Sequence, residues 1–149
     1  MRFPVWGWKM IETTYLRLST RGNAEVVDIT NKIQSALSAT EISQGIVTVC
    51  VIGSTGAVTT CEYEPGLVQD IPDIMDKLIP PGRYHHDQTW HDGNGHSHLR
   101  SSFIGPSLTI PIDKGKMILG TWQQVVFIDF DNRPRERTIV LQFMGDAAP

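Results

Sequence analysis

The sequence predicts an α+β fold, a sandwich of mostly antiparallel strands with two flanking helices. The chain has 149 residues, so we expect residues 1–149 to form a single domain. Short segments rich in β-branched and aromatic residues recur along the chain, separated by turn residues. Only two segments carry apolar residues at helical spacing, which makes the predicted fold rich in strands.

The predicted strands are short segments bounded by turn residues. They cover residues 10–19, 24–28, 46–52, 57–63, 107–112, 117–129 with a break near Gly120, and 137–143. The turn at residues 20–23 predicts a hairpin between the first two. The nearly unbroken apolar run at 46–52 predicts a buried strand, and the successive apolar residues at 125–128 predict burial on both faces.

Two helices are predicted from apolar periodicity. The first is capped by Asp28 or Thr30 and ends at Gly45. The second begins near Ile71, because Pro72 lacks a backbone donor and fits best in a first turn. Two prolines and a glycine end this helix.

Composition and charge argue against several classes of protein. The net charge of −3 argues against nucleic acid or an anionic membrane as the main partner. No apolar run approaches the roughly 20 residues of a membrane span, and residues 1–10 lack the features of a signal peptide. We therefore expect a cytoplasmic protein in which Cys50 and Cys61 are reduced.

Residues 83–97 show no periodicity and are predicted to be an irregular loop, and residues 98–104 fit either a helix or a strand. All five histidines fall within fourteen residues here, interleaved with Asp and Asn: His85, His86, His91, His96 and His98. Imidazole is the commonest transition-metal ligand, and His-x-His beside a carboxylate can chelate an ion. The alternative is a polar loop whose histidines are solvated or cap local backbone.

Glycine and carboxylate residues provide a second set of candidates. The turn from Gly53 to Gly56 follows a predicted buried strand, and its N–H groups could hold phosphate or simply form a β-turn. Glu62 and Glu64 alternate on the next strand, and Asp70 follows. Such carboxylates can act as general bases or metal ligands, although most are solvated.

Arginine and tryptophan residues provide a third set. Arg133, Arg135 and Arg137 lie on one side of an extended chain, where they could clamp phosphate or remain solvated. Trp122, followed by Gln123, could stack on a flat ligand or belong to the core.

These segments, together and in this order, resemble the YjbQ-like family, known as secondary thiamine-phosphate synthase enzymes. The matching stretches are STGAVTTCEYEPGLVQD, RYHH, DGNGHSHLRSSFIGPSLTIPI, KMILGTWQQVVFIDFD and RPRERTIVLQFMG, which lie within about residues 45–145. The resemblance implies a β-sandwich flanked by helices and a homotrimer assembled through its sheets. We also expect a trimer because one thin domain could hardly cover both faces of residues 125–128.

The family pattern, carried over residue by residue, implies a set of site residues. It falls on Glu62, Asp70, His86, Asn94, His96, His98, Trp122, Gln123, Arg135 and Arg137. Many members begin the loop after the buried strand with His-Thr-Thr, whereas this chain has Gly53 followed by Ser54 and Thr55. A role for that histidine is not carried over, and the loop would instead offer backbone donors to an anion.

The implied activity joins a pyrimidinylmethyl diphosphate to a thiazole phosphate and releases diphosphate. The predicted roles divide the residues into three groups. Glu62, His86 and His98 are catalytic; Ser54, Thr55, Asn94, Trp122, Gln123, Arg135 and Arg137 bind substrate or phosphate; His86, His96, His98 and Asp70 bind metal. We expect a divalent metal (Zn²⁺, Mn²⁺ or Mg²⁺) and no organic cofactor.

Several alternatives remain open. The histidines could hold a transition metal, or they could bind phosphate and transfer protons while Mg²⁺ sits on carboxylates. The protein could also be a metal-dependent hydrolase with Glu62 as base, or a non-catalytic trimer that binds a metal or an anion. In a trimer, we expect the arginine turn of one subunit to complete the histidine pocket of its neighbour.

Overall fold

The structure is a computed structural model that describes residues 10–147. Strands and helices follow one another along these residues in mixed order. They are β1 (Met10–Thr20), β2 (Glu25–Asp28), α1 (Thr30–Ser38), β3 (Ile42–Val51), β4 (Gly56–Cys61), α2 (Pro65–Leu78), α3 (His85–Trp90), α4 (Gly95–Ile104), β5 (Ser107–Asp113), β6 (Lys116–Met117), β7 (Gln124–Asp129) and β8 (Arg135–Ala147).

The strands form two sheets, and every pair of neighbours is antiparallel. One sheet has five strands in the order β1-β8-β3-β5-β6, and the other has three in the order β2-β7-β4. The predicted α+β fold with a mostly antiparallel sandwich is therefore confirmed. The predicted number of flanking helices is wrong, because the described chain has four rather than two.

The three-stranded sheet lies between two hydrophobic cores. Val125 and Phe127 of β7 face a core shared with the five-stranded sheet, whereas Val126 and Ile128 face a core shared with α2 and α4. Both faces of this strand are buried, as predicted. They are covered within one chain, however, so β7 provides no argument for an oligomer.

The predicted hairpin between the first two strands is wrong. β1 pairs with β8 over its whole length, from Met10 opposite Gly145 to Thr20 opposite Arg135, whereas β2 pairs with β7 in the other sheet. The turn between β1 and β2 therefore crosses from one sheet to the other. Eleven residues of pairing with β8 outweigh the local preference of four turn residues for a hairpin.

Gly45 lies inside β3 and does not end α1, which stops at Ser38. A Cβ at Gly45 would lie 2.0 Å from the Met144 carbonyl oxygen, so the close approach of β8 requires glycine there. β3 buries Val47, Val49 and the other residues of one face, while its second face is only half-buried. The prediction of a fully buried strand is therefore correct for one face.

α2 begins at Pro65, six residues before the predicted start, and continues through Pro72. The Glu64 side chain caps it by accepting from the N–H groups of Gly66 and Leu67. Pro72 removes one helical hydrogen bond, but the apolar face of α2 packs against β7 and holds the helix together.

Residues 83–97 are not an irregular loop. They contain the six residues of α3 and the first three residues of α4. Because α4 continues to Ile104, residues 98–104 are helical. A six-residue helix is too short to show periodicity. The break near Gly120 is confirmed, because residues 118–123 separate β6 from β7.

Two further observations concern the cysteines and the helices. Cys50 and Cys61 are free thiols, as expected. Within residues 10–147, no helix combines the length and the apolar character needed to cross a membrane.

Candidate functional site

A polar site lies at one end of the sandwich, where three chain segments meet. These are the β3–β4 connection with Ser54 and Thr55, the start of α4, and the connection between β7 and β8. The Ser101 hydroxyl of α4 donates to the Gly56 carbonyl over 2.7 Å, and the Phe130 N–H donates to the Thr55 carbonyl over 2.9 Å. These two bonds hold all three segments together.

Two histidines form the centre of this site. The rings of His86 on α3 and His98 on α4 lie 4.3 Å apart between centroids and are tilted by 44°. His86 Nε2 lies 3.6 Å from Asp92 Oδ1, and His98 contacts the Ser54 backbone. The segment predicted to be irregular therefore folds so that two of its five histidines pack against each other, with tilted rings, beside the glycine-bounded turn.

Burial keeps the histidines of α4 in their neutral form near pH 7. Desolvation, and then the neighbouring His86, lower the pKa of His98 below its ordinary value. Desolvation, and then the charge of Arg100, lower the pKa of His96. A neutral imidazole can accept a proton, so His98 has the protonation state of a general base.

Arg137 is held in place by a buried carboxylate. Its Nη2 and Nε donate to the two oxygens of Asp129 over 2.6 and 2.7 Å, and Nη2 also donates to the Thr55 hydroxyl over 2.8 Å. Asp129 is fully buried and also accepts from the Thr20 hydroxyl. The remaining nitrogen, Nη1, lies 3.3 Å from the point where a Cβ at Gly53 would stand.

Arg135 pairs with a second buried carboxylate. Its Nε donates to Asp131 Oδ2 over 2.9 Å, and the Thr55 hydroxyl donates to the same oxygen over 3.0 Å. Burial alone would raise the pKa of Asp131, but these two bonds and the charges of Arg135 and Arg137 outweigh it and lower the pKa. Much of the guanidinium charge at this turn is therefore already matched by carboxylates.

The junction of α3 and α4 is fixed by Asp87. Its carboxylate accepts from the Tyr84 N–H over 3.0 Å and from the Gly95 N–H over 3.1 Å. These backbone bonds, led by that of Tyr84, lower the pKa of Asp87. A Cβ at Gly95 would lie 2.6 Å from the Tyr84 Cβ, so the close contact of the two helices requires glycine.

Eight of the predicted site residues lie at this end of the sandwich. They are Ser54, Thr55, His86, Asn94, His96, His98, Arg135 and Arg137. Arg137 and His98 approach the same turn of the same chain. Within one chain the arginine turn therefore reaches the histidines without a neighbouring subunit, and a shared site stays a prediction.

The other predicted residues lie elsewhere in the chain. Gly56 pairs with Asp129 at the site end of β4, whereas Cys61 pairs with Gln124 at the other end, about 17 Å away at ~3.4 Å per strand residue. Glu62 and Gln123 follow at that far end, and Gln123 donates to the Thr60 hydroxyl over 3.0 Å. Trp122 is 72% exposed and is not part of the core.

Asp70 is also separate from the histidines. It lies on an exposed part of α2, about 9 Å of helix rise before Asp76, which pairs with Arg100 of α4 over 2.7 Å. Among residues 10–147, no three His, Cys, Asp or Glu side chains are placed to hold one metal ion. The predicted ligands therefore do not fit a metal as a set within one chain.

Asp129 and Asp131, the two carboxylates that pair with the arginines, are not among the site residues predicted from the sequence. Their signal was present in the sequence, because they alternate at the end of an apolar strand just before the alternating Arg135 and Arg137. Residues two apart on a strand share a face, so the two pairs could have been matched.

The fold and the site define an α+β sandwich protein with two packed histidines and buried arginine–carboxylate pairs at one end. Residues 14–146 match the family model described as UPF0047 protein YjbQ-like. The chain belongs to this family.

Relatives match the chain over nearly their whole length. A UPF0047 protein of Archaeoglobus fulgidus is 37% identical, covering 85% of this chain and 97% of its own, and UPF0047 protein YugU of Bacillus subtilis is 32% identical, covering 87% and 97%. Among solved structures, a hypothetical protein of Aeropyrum pernix has a TM-score of 0.85 at 36% identity, covering 91% and 99%. A YbjQ-like protein of unknown function from Sulfolobus solfataricus has a TM-score of 0.82 at 28% identity, covering 92% and 100%.

Proposed function

We propose that the protein is an enzyme that acts on a small phosphorylated substrate at the His86–His98 end of the sandwich. The observation that carries this proposal is the packed histidine pair beside the 53–55 turn. The turn offers backbone donors, and Arg137 offers Nη1 at the same place. Donors for an anion thus lie next to a neutral base, which is the combination that phosphate-ester and diphosphate chemistry uses.

Asp129 makes Arg137 suited to bind an anion, because it holds the guanidinium in one orientation. A guanidinium fixed by two charge-assisted bonds has little freedom left to lose when an anion binds. The neighbouring Gly53 has φ of 154° and no side chain, so position 53 places no side-chain atoms against Nη1 of the largely buried Arg137. An anion can therefore approach the turn and the guanidinium together.

Within this class, the family resemblance favours transfer of a pyrimidinylmethyl group. The thiazole nitrogen attacks the methylene carbon, a C–N bond forms, and the C–O bond to diphosphate breaks with its electron pair leaving on oxygen. Arg137 and the turn stabilise the charge that develops on the diphosphate. The histidine pair holds the departing diphosphate by hydrogen bonds, and solvent supplies any proton that the diphosphate takes up.

We also propose that the enzyme is a cytoplasmic homotrimer and that a neighbouring subunit completes the site. Glu62, Trp122 and Gln123 belong to the resemblance but lie beyond the far end of β4, a strand about 17 Å long whose other end is at the site. The exposed Trp122 of a neighbour could cover a flat ligand held at the 53–55 turn. Sites commonly form where two surfaces create a concavity.

Incubation of the purified protein with the two precursors tests the reaction. Formation of thiamine phosphate and diphosphate, lost in His98→Gln and retained in the exposed matched control His85→Gln, is the expected result. Turnover of simple phosphate monoesters without thiamine phosphate would contradict the transferase but support a phosphate-ester enzyme. Absence of both reactions, and of binding to phosphate compounds, would contradict the proposal.

Mixing of two inactive variants tests the shared site. After subunit exchange, His98→Gln and Trp122→Ala should together regain about a quarter of the wild-type activity, because about one interface in four carries both intact residues. The matched control mixes His98→Gln with His86→Gln, which affect the same end of the same chain and should regain nothing. A mixture of His98→Gln and Trp122→Ala that stays inactive after verified exchange would contradict the shared site.

A further inference from the structure

Buried polar atoms without partners gather around the start of α4. Six buried side-chain atoms have no hydrogen-bond partner among residues 10–147, and four of them belong to the start of α4 and the β7–β8 connection: Asn94 Oδ1, His96 Nδ1, Ser97 Oγ and Asp131 Oδ1. The other two are His86 Nε2 and Asp146 Oδ1. The residues of the first four atoms are 4%, 8%, 0% and 1% exposed. Nearly all buried polar groups in proteins have partners, so their concentration in one place points to a bound polar group.

The two segments that carry these atoms lie against each other. The Asn132 side chain donates to the Asp92 carbonyl over 2.9 Å, which joins the residue after Asp131 to the segment before Asn94. The Asp131 carboxylate is also close enough to His96 for its charge to act on the ring.

The chemistry of this cluster is that of hydrogen-bond acceptors. The oxygens of Asn94 and Asp131 can only accept, and His96 Nδ1 accepts when its proton is on Nε2. The start of α4 does not offer its charge to an anion, because the Asp87 carboxylate already accepts from the Gly95 N–H over 3.1 Å. A phosphate at this cluster would be repelled by the Asp131 carboxylate, whereas for a phosphate at the 53–55 turn the Arg137 guanidinium, 3.5 Å from Asp131 Oδ2, offsets that charge.

We propose that Asn94, His96 and Asp131 form a subsite for an amino or ammonium group of the substrate. This inference rests on the proposed function and extends it: the substrate carries a phosphate for Arg137 and the 53–55 turn, and an N–H donor group for this subsite. The role of Asn94 changes accordingly, from the predicted phosphate ligand to an acceptor for nitrogen.

The placement of the ligands favours an N–H group over a metal ion. Only two of the three subsite residues, His96 and Asp131, are of the types that usually ligate a transition metal, and no third His, Cys, Asp or Glu of residues 10–147 is placed to join them around one ion. The two or three N–H bonds of an amino group diverge, so one nitrogen can donate to more than one of these acceptors.

The experiment compares three phosphate esters by calorimetry: 2-aminoethyl phosphate, phosphocholine and ethyl phosphate. Phosphocholine has the positive charge of the first compound but no N–H, and ethyl phosphate has neither. We expect 2-aminoethyl phosphate to bind about tenfold more tightly than phosphocholine, which is the effect of one charge-assisted hydrogen bond. Equal dissociation constants for these two compounds would overturn the subsite.

Variants of Asn94 test whether this residue causes the difference between the dissociation constants of 2-aminoethyl phosphate and phosphocholine. Asn94→Ala should bring the ratio of the two dissociation constants close to one, whereas Asn94→Asp keeps an acceptor oxygen and should preserve the ratio. Gln88→Ala, an exposed change on α3, is the matched control and should leave the ratio unchanged. A ratio that survives in Asn94→Ala would overturn the assignment. If none of the three esters binds, the proposed function fails as well, whereas binding without discrimination overturns the subsite alone.

Discussion

The buried pair of Asp129 and Arg137 predicts a large loss of stability when either charge is removed alone. Asp129 accepts two bonds from Arg137, one from the Thr20 hydroxyl and one from the Asp131 N–H. Both side chains are more than nine-tenths buried. Replacement of Arg137 leaves Asp129 buried without a counterion, and replacement of Asp129 leaves Arg137 only Asp131, which is 3.5 Å away and already paired with Arg135. Either change should cost about 3–5 kcal/mol in the free energy of unfolding.

Each single replacement lowers the free energy of unfolding mainly because it leaves one charge buried and unpaired. The double replacement should therefore cost less than the sum of the two single replacements. We expect Asp129→Leu and Arg137→Met each to lower the free energy of unfolding by about 3–5 kcal/mol, or the melting temperature by about 6–20 °C. The double variant should recover at least ~2 kcal/mol of their sum, because neither charge then remains buried and unpaired.

Urea unfolding at one fixed protein concentration measures these differences. The control is Arg21→Met, which removes an exposed arginine that pairs with Glu25 over 3.0 Å and should cost no more than about 1 kcal/mol. A double variant whose loss equals the sum of the single losses would refute the argument. Equal losses in Arg21→Met and Arg137→Met would refute it as well.

Three further predictions concern pH, packing and assembly. Because burial lowers the pKa of His96 and His98, the unfolded chain binds more protons than the folded chain below about pH 6.5. The free energy of unfolding should therefore fall as the pH drops from 7.5 to 5.5. Urea midpoints measured over this range should fall less steeply in His96→Gln than in the wild type. Gly95→Ala should destabilise the protein by about 1–3 kcal/mol through its clash with Tyr84, whereas Gly120→Ala, whose Cβ would meet nothing closer than 3.6 Å, should be nearly neutral in the same unfolding assay. Sedimentation should give a species near 50 kDa, three times the 16.7 kDa chain, and a single species of 16.7 kDa at micromolar concentration would contradict the trimer.

Several features of the fold follow from local sequence patterns. Segments of β-branched residues became strands, and the alternation of Val125 and Phe127 with Val126 and Ile128 corresponds to two cores on opposite faces of β7. The break near Gly120 was also predicted from local sequence. These features depend on residues within one turn or one strand of each other.

The partners of these elements depend on contacts between distant residues. Nothing in residues 10–28 indicates that β1 pairs with β8, more than a hundred residues later, while β2 joins the other sheet. Gly45 resembles a helix end in sequence, and only the close approach of Met144 explains it as part of a strand. Local propensity cannot represent such packing, which decides between competing arrangements.

The same distinction between local sequence and contacts of distant residues applies to the candidate site. The sequence by itself determined which residue types were available: five histidines in one polar segment, a turn with donors, and alternating arginines. Only the tertiary structure decided that His86 and His98 pack against each other beside this turn, that buried carboxylates hold Arg135 and Arg137, and that Glu62 and Trp122 lie at the far end of β4. The physical reason is that chemical identity belongs to each residue, whereas distance, burial and charge compensation arise only when segments remote in sequence pack together.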